Sequence, residues 1–226
     1  MWDPGFTALS PLFWPIAGAA GALHSESFPQ PEVIDAALGT RAGVRFERQR
    51  PVSRRRRGPR DPSTLYDARI KAGCVPTRPG SWHDLMNALV WATFPAAKRA
   101  LHDRQHELVV PAAPGESARR PRELDTLALL DEGGLVVVVT APFEDEGLLA
   151  DALGRGEATA IVFGHAIYEG LALGREMPLA SVVCVEGDPT ADEGALLAGA
   201  DQALALVVAD RSRLLDPKGL LRLRPA

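Results

Sequence analysis

Two short stretches of this chain repeat one interval between side chains that bind metals or move protons. His83 and Asn87 lie four residues apart with Asp84 between them, and His165 and Glu169 lie four apart with Tyr168 alongside. On a helix, positions i and i+4 share a face, so each pair presents an imidazole and a second polar group on the same side. Brought together, the two faces offer neutral ring nitrogens and carboxylate oxygens, ordinary ligands for zinc, manganese or iron. A cation held in that way activates a water for hydrolysis. On this reading His83, His165 and Glu169 are metal ligands, Asp84 is a water-orienting base, and Asn87 belongs to the same catalytic set, in a polar pocket bordered by Trp82. The plainer reading is structural: Asp84 caps its helix, His83 bonds a backbone carbonyl, and His165 and Glu169 form a local pair. The spacing is not that of a known metalloenzyme motif such as H-E-x-x-H.

A second H-x-x-x-H, His102 and His106, is flanked by Asp103 and Glu107. Residues 98–107 are charged nearly all round, the pattern of a solvated helix face, so no ligand role is expected there. Tyr66, Arg69 and Arg78, with Arg119, Arg120 and Arg122 farther on, suggest an anion-binding rim beside a helix N-terminus. The competing expectation is that these arginines pair with Asp67, Asp125, Asp131 or Glu132. Arg54, Arg55, Arg56 and Arg57 sit in an arginine-rich loop over residues 41–62, the feature best suited to nucleic acid or another polyanion. Only Phe46 interleaves it and no recognition helix is evident, so a solvated loop is the simpler reading. There is no G-x-S-x-G elbow, no signature around either cysteine and no phosphate-cradling glycine loop. These absences disfavour serine or cysteine hydrolysis and nucleotide cofactors, leaving a divalent metal as the candidate cofactor.

The elements that must position these residues can be read from periodicity and punctuation. The clearest helix begins at Ser81, whose hydroxyl suits the N-cap, with Asp84 three residues on in a capping-box arrangement. Trp82, Leu85, Met86, Leu89 and Thr93 form its core stripe, and Pro95 kinks it or opens a second helix over 96–106. Residues 30–39 read as a helix with Pro31 in its first turn and Gly39 as its C-cap. Leu124–Leu130 and Leu135–Thr140, on either side of Asp131-Glu132-Gly133-Gly134, read as a β-hairpin. Further helices are expected over 144–153, 157–173 and 192–209, and a strand over 179–185. The fold class is α+β: one helix-rich domain spanning 1–226, with a small antiparallel sheet.

Composition bounds the remaining possibilities. The 226 residues are 46% hydrophobic and 24% charged, an ordinary globular balance with ample apolar material for a core. A formal charge of -4 gives no global attraction for polyanions. The two cysteines, Cys74 and Cys184, each beside a valine, read as reduced, partly buried thiols, which favours the cytoplasm. The apolar stretch Phe6–Leu23 lacks a basic leader and is broken by Pro11 and Pro15, so it is taken as a structural arm. No membrane span is expected.

Trp82-His83-Asp84-Leu85-Met86-Asn87-Ala88-Leu89-Val90-Trp91-Ala92-Thr93-Phe94-Pro95-Ala96-Ala97-Lys98 resembles the signature of a bacterial family, the domain of unknown function family 3025. Tyr66-Asp67-Ala68-Arg69-Ile70, then Gly73, Val75, Pro76, Thr77 and Arg78, and also Arg122, Asp125, Asp131, Glu132 and Gly134, add to the likeness. Phe163-Gly164-His165-Ala166-Ile167-Tyr168-Glu169 is similar to the family's F-G-H-A-x-Y-E stretch. The resemblance runs from about Trp2 to Leu173, with an expanded arginine-rich loop and without the family's Pro/Gly/Trp-rich tail. It implies a fold and a set of candidate positions, and no reaction; Tyr66, Arg69, Arg78, Trp82 and Tyr168 are taken as the candidate binding residues. Whether the chain is an enzyme stays open: a metal-assisted hydrolase, a nucleic-acid or polyanion binder, and a scaffold are the three readings.

Overall fold

A computed structural model describes residues 2–49, 66–109 and 121–225. Two single-turn helices, Phe6–Leu9 and Pro11–Phe13, lead into α1 (Trp14–Ala20) and α2 (Pro31–Ala42). Next come β1 (Arg45–Arg48), α3 (Tyr66–Lys71), β2 (Cys74–Thr77), α4 (Trp82–Thr93) and α5 (Pro95–Val109). Then follow α6 (Arg122–Gly133), β3 (Gly134–Val139), α7 (Glu146–Gly154), β4 (Ala158–Val162), α8 (His165–Ala172), β5 (Ala180–Glu186), α9 (Glu193–Ala209) and β6 (Leu221–Leu223). The class is α+β. Among the described residues no helix is long and apolar enough to cross a membrane.

The expected antiparallel sheet is mixed. Its strand order is β4-β3-β5-β6; β3 runs antiparallel to β4 and parallel to β5, and β5 runs antiparallel to β6. A separate parallel pair joins β1 to β2. β3 explains the mixture. All six of its residues are buried, as its continuous Leu135-Val136-Val137-Val138-Val139 run requires of a central strand covered on both faces. The expected hairpin does not form: residues 122–133 are helix, and strand follows helix without a loop. Leu124, Leu127 and Leu130 bury one side of α6, an i, i+3, i+6 stripe that serves a helix better than a strand. The helix expected over 157–173 divides into β4 and α8, because Phe163 and Gly164 both donate their amides to the Gly134 carbonyl and end the strand there. α2 runs past Gly39 to Ala42 and stops at Gly43, which adopts φ 65°. Residues 41–43 and 45–48 of the expected loop belong to α2, its cap and β1, and Arg54–Arg57 lie outside the described residues.

α4 is the central helix. Every residue from Leu85 to Thr93 is buried, so the apolar stripe is only part of a helix enclosed on all sides. Ser81 caps it as expected, its Oγ accepting from the Asp84 amide at 3.2 Å. α5 departs furthest from expectation: Lys98, His102, Arg104 and Gln105 on the supposed solvated face are all buried. The two cations, Lys98 and Arg104, are buried because they are paired. The Arg104 guanidinium donates to the carbonyls of Val208, Asp210 and Arg213 near the end of α9, where the helix dipole favours a cation, and its Nε meets Glu123 at 2.6 Å. In the opposite direction, Asp201 of α9 accepts from the amides of Ala96 and Ala97 in the first turn of α5.

Candidate metal centre

The centre forms where α4, α6 and α8 meet, and a glycine makes the meeting possible. A Cβ on Gly164, the residue before α8, would fall 2.4 Å from the Gly134 nitrogen and 2.6 Å from the Glu132 carbonyl oxygen. Without that Cβ, the start of α8 presses against the end of α6, and His165 lies beside Asp131 and Glu132. From α4, His83 points into the same junction. Its Nε2 is 3.0 Å from His165 Nε2, and its Nδ1 is 3.0 Å from Glu169 Oε2. Glu132 Oε2 lies 3.4 Å from His165 Nε2.

One nitrogen each from His83 and His165 and one oxygen from Glu132 lie within 4.8 Å of one another. Tetrahedral bonds of about 2.0–2.1 Å would hold two ligand atoms roughly 3.3–3.4 Å apart. The His165–Glu132 separation already matches that spacing, and the two imidazoles need only a slight parting. Glu169 completes the arrangement from outside. Where the carboxylate accepts a proton from Nδ1 of a neutral His83, the Nε2 lone pair is the one that faces the cluster. The site opens on one side: His165 is buried, His83 half-buried and Glu132 exposed.

Electrostatics favour the ligand form of His165 and disfavour that of Glu132. Burial drives the His165 pKa down to about 3; Asp131 opposes that shift, while Lys98 and His83 add to it, leaving the ring neutral near pH 7. Burial, and then the Asp131 charge, raise Glu132 above the ordinary carboxylate range, with His83 and Lys98 opposing. Burial alone would raise Asp131 too, but Lys98 outweighs it, with help from His165, and holds that carboxyl well below its usual value.

Behind the cluster lies a buried polar chain. Lys98 Nζ, fully enclosed, donates to Asp131 Oδ1 at 2.5 Å and to Asn87 Oδ1 at 2.7 Å. Asn87 Nδ2 donates to the Tyr66 hydroxyl at 3.3 Å. Asn87 therefore shares the His83 face of α4, as its spacing predicts, but reaches Lys98 rather than the ligand cluster.

The other sequence candidates are placed as follows. Asp84 turns from the expected capping box to Arg78, accepting from its backbone amide at 2.6 Å and its guanidinium at 2.9 and 2.7 Å. Arg69 pairs with Glu47 and Arg122 with Asp216, so the described arginines of the expected anion rim are held by carboxylates other than those anticipated. Trp82 packs among Trp2, Phe6 and Phe28 in an aromatic cluster. Tyr168 is buried against Phe13, and its hydroxyl donates to the Val162 carbonyl. Glu169 Oε2 lies against His83 Nδ1, the ring nitrogen that faces away from His165. Sequence reasoning named Glu132 and Asp131 as arginine partners and within the family likeness, and Lys98 within the signature, but gave none of the three a place at the site. The signal for the first two was the Leu124/Leu127/Leu130 stripe, which puts them on the last turn of a helix; for Lys98 nothing local distinguished a buried charge from a solvated one.

Fold and cluster together define a helix-rich α+β protein with a two-histidine, one-carboxylate candidate metal centre. Residues 54–224 match the family model described as protein of unknown function (DUF3025), and the chain belongs to that family. The match reaches through α9 and β6, past the stretch that carried the resemblance, and leaves residues 1–53 and 225–226 outside it. No curated protein and no solved structure matches the chain.

Proposed function

We propose that this protein is a metal-dependent hydrolase, with His83, His165 and Glu132 as ligands and Glu169 as the group that orients His83. The observation that carries the reading is the approach of three potential ligand atoms to within 4.8 Å at a junction open on the Glu132 side. A divalent cation there supplies Lewis acidity toward a water or a substrate carbonyl or phosphoryl oxygen. In this reading Asp84 leaves the catalytic set and braces Arg78 at the rim, and Asn87 braces Lys98. The free thiols of Cys74 and Cys184 fit a reducing, cytoplasmic setting. Contact with nucleic acid through Arg54–Arg57 rests on sequence alone and is the second choice.

The test is a hydrolysis screen with chromogenic phosphate esters, carboxylic esters and peptides, run on zinc- or manganese-loaded protein, on chelated protein and on His83→Ala. Activity that needs the metal and disappears in the variant is expected. Metal-loaded protein that accelerates none of these classes contradicts the hydrolase assignment.

A further inference from the structure

The two nitrogens of His165 meet different surroundings. Nε2 faces the ligand cluster, whereas Nδ1 is buried, makes no well-formed hydrogen bond among the described residues, and lies 3.9 Å from Asp131 Oδ1; the Asp131 backbone carbonyl also acts on the ring. A neutral imidazole carries one proton. With His83 Nδ1 directed at Glu169, the 3.0 Å contact between the two Nε2 atoms needs one proton between them. A cation between the rings needs both Nε2 lone pairs, so the His165 proton must then sit on Nδ1.

We infer that Asp131 is the positioning residue for His165: its carboxylate accepts the Nδ1 proton and turns Nε2 toward the cation, as Glu169 does for His83. The inference rests on the metal reading above. Asp131 is suited to the task because it is itself fixed. Lys98 holds it at 2.5 Å, and Asn87 holds Lys98 from the central helix. Buried ion pairs bring no assured gain in stability. One set against the buried nitrogen of a ligand-type histidine has a specific use, which is to make that nitrogen's acceptor available in one place.

The experiment combines ¹⁵N NMR of histidine-labelled wild type, titrated with zinc, and zinc affinity measured by competition with a chromogenic chelator. Asp131→Asn and the paired Lys98→Met/Asp131→Leu are compared with wild type; the pair removes the acceptor without leaving Lys98 charged and alone. The expected spectrum has His165 protonated at Nδ1 and metal-bound at Nε2. The paired variant should bind zinc about 10–100-fold more weakly, the usual cost of losing an outer-shell partner. Asp131→Asn, whose amide oxygen still accepts, should lose less. A folded paired variant with wild-type affinity, or zinc bound to His165 through Nδ1, overturns the assignment while leaving the metal site standing. If the paired variant does not fold, the wild-type spectrum decides. Wild type that binds no zinc overturns the metal site and this assignment together.

Discussion

Two histidines are deeply buried in this protein, and their surroundings give them different work. His165 has a carboxylate on either side, Asp131 and Glu132, and a second imidazole in front of it. His102 lies flat against Trp91, with ring centroids 5.4 Å apart and planes 5° from parallel, and Tyr66 meets its edge. Each begins or sits within an i, i+4 pair on a helix. Spacing therefore does not make a metal site; what matters is whether other chain segments bring carboxylates to the same point. At His165, α6 brings two carboxylates and α4 a second imidazole. Around His102 and His106 no group of three potential ligand atoms gathers among the described residues.

Lys98 joins the two regions, since its ammonium binds Asp131 on one side and lies 5.6 Å from the Trp91 ring on the other. The largest effect should come from Lys98→Ala, which strands the Asp131 charge. A loss of about 3–5 kcal/mol is expected in chemical denaturation. A loss below about 1 kcal/mol would mean that Asp131 finds another partner and that the regions are not joined in this way.

Acid should separate the regions next. His165 takes up its proton far more readily in the unfolded chain, near pH 6.5, than in the fold, near pH 3. The stability it confers is present above about pH 6.5 and drains away as pH falls toward 3, on the order of a few kcal/mol. His165→Gln should flatten that part of the pH–stability profile measured on metal-free protein, and an unchanged profile would contradict the buried neutral ring. His102→Ala should instead cost about 2 kcal/mol of packing at neutral pH, with zinc binding intact. Zinc affinity that falls with it would show that the stacked histidine belongs to the site after all. The smallest effect expected is from Glu169→Gln, which keeps shape but weakens the acceptor on His83 Nδ1; chelator competition should show roughly a tenfold loss of zinc affinity.

The same contrast explains what could be read from the sequence. The faces carrying His83/Asn87 and His165/Glu169 were legible because a capped helix turns spacing into geometry, and Ser81 announced the cap. Glu132 and Asp131 were not, since Asp131-Glu132-Gly133-Gly134 suits a hairpin turn as well as the end of α6. What decided between them was the Leu124/Leu127/Leu130 stripe together with the tight seat of Gly164 on the Glu132–Gly134 backbone. Charge along α5 misled for a related reason. Lys98, Arg104 and His102 look solvated until their partners arrive, and Asp131 lies 33 residues away from Lys98, Val208 104 residues from Arg104. Local pattern reports that a helix is polar; only tertiary pairing makes that polarity affordable inside.

The most direct test is metal stoichiometry by mass spectrometry on protein incubated with zinc, manganese and iron and then desalted, comparing wild type, His165→Ala and His102→Ala. Near one metal per chain in wild type and His102→Ala, with none in folded His165→Ala, is the predicted result. Metal absent from wild type, or retained equally by all three proteins, would contradict a centre built on His83, His165 and Glu132.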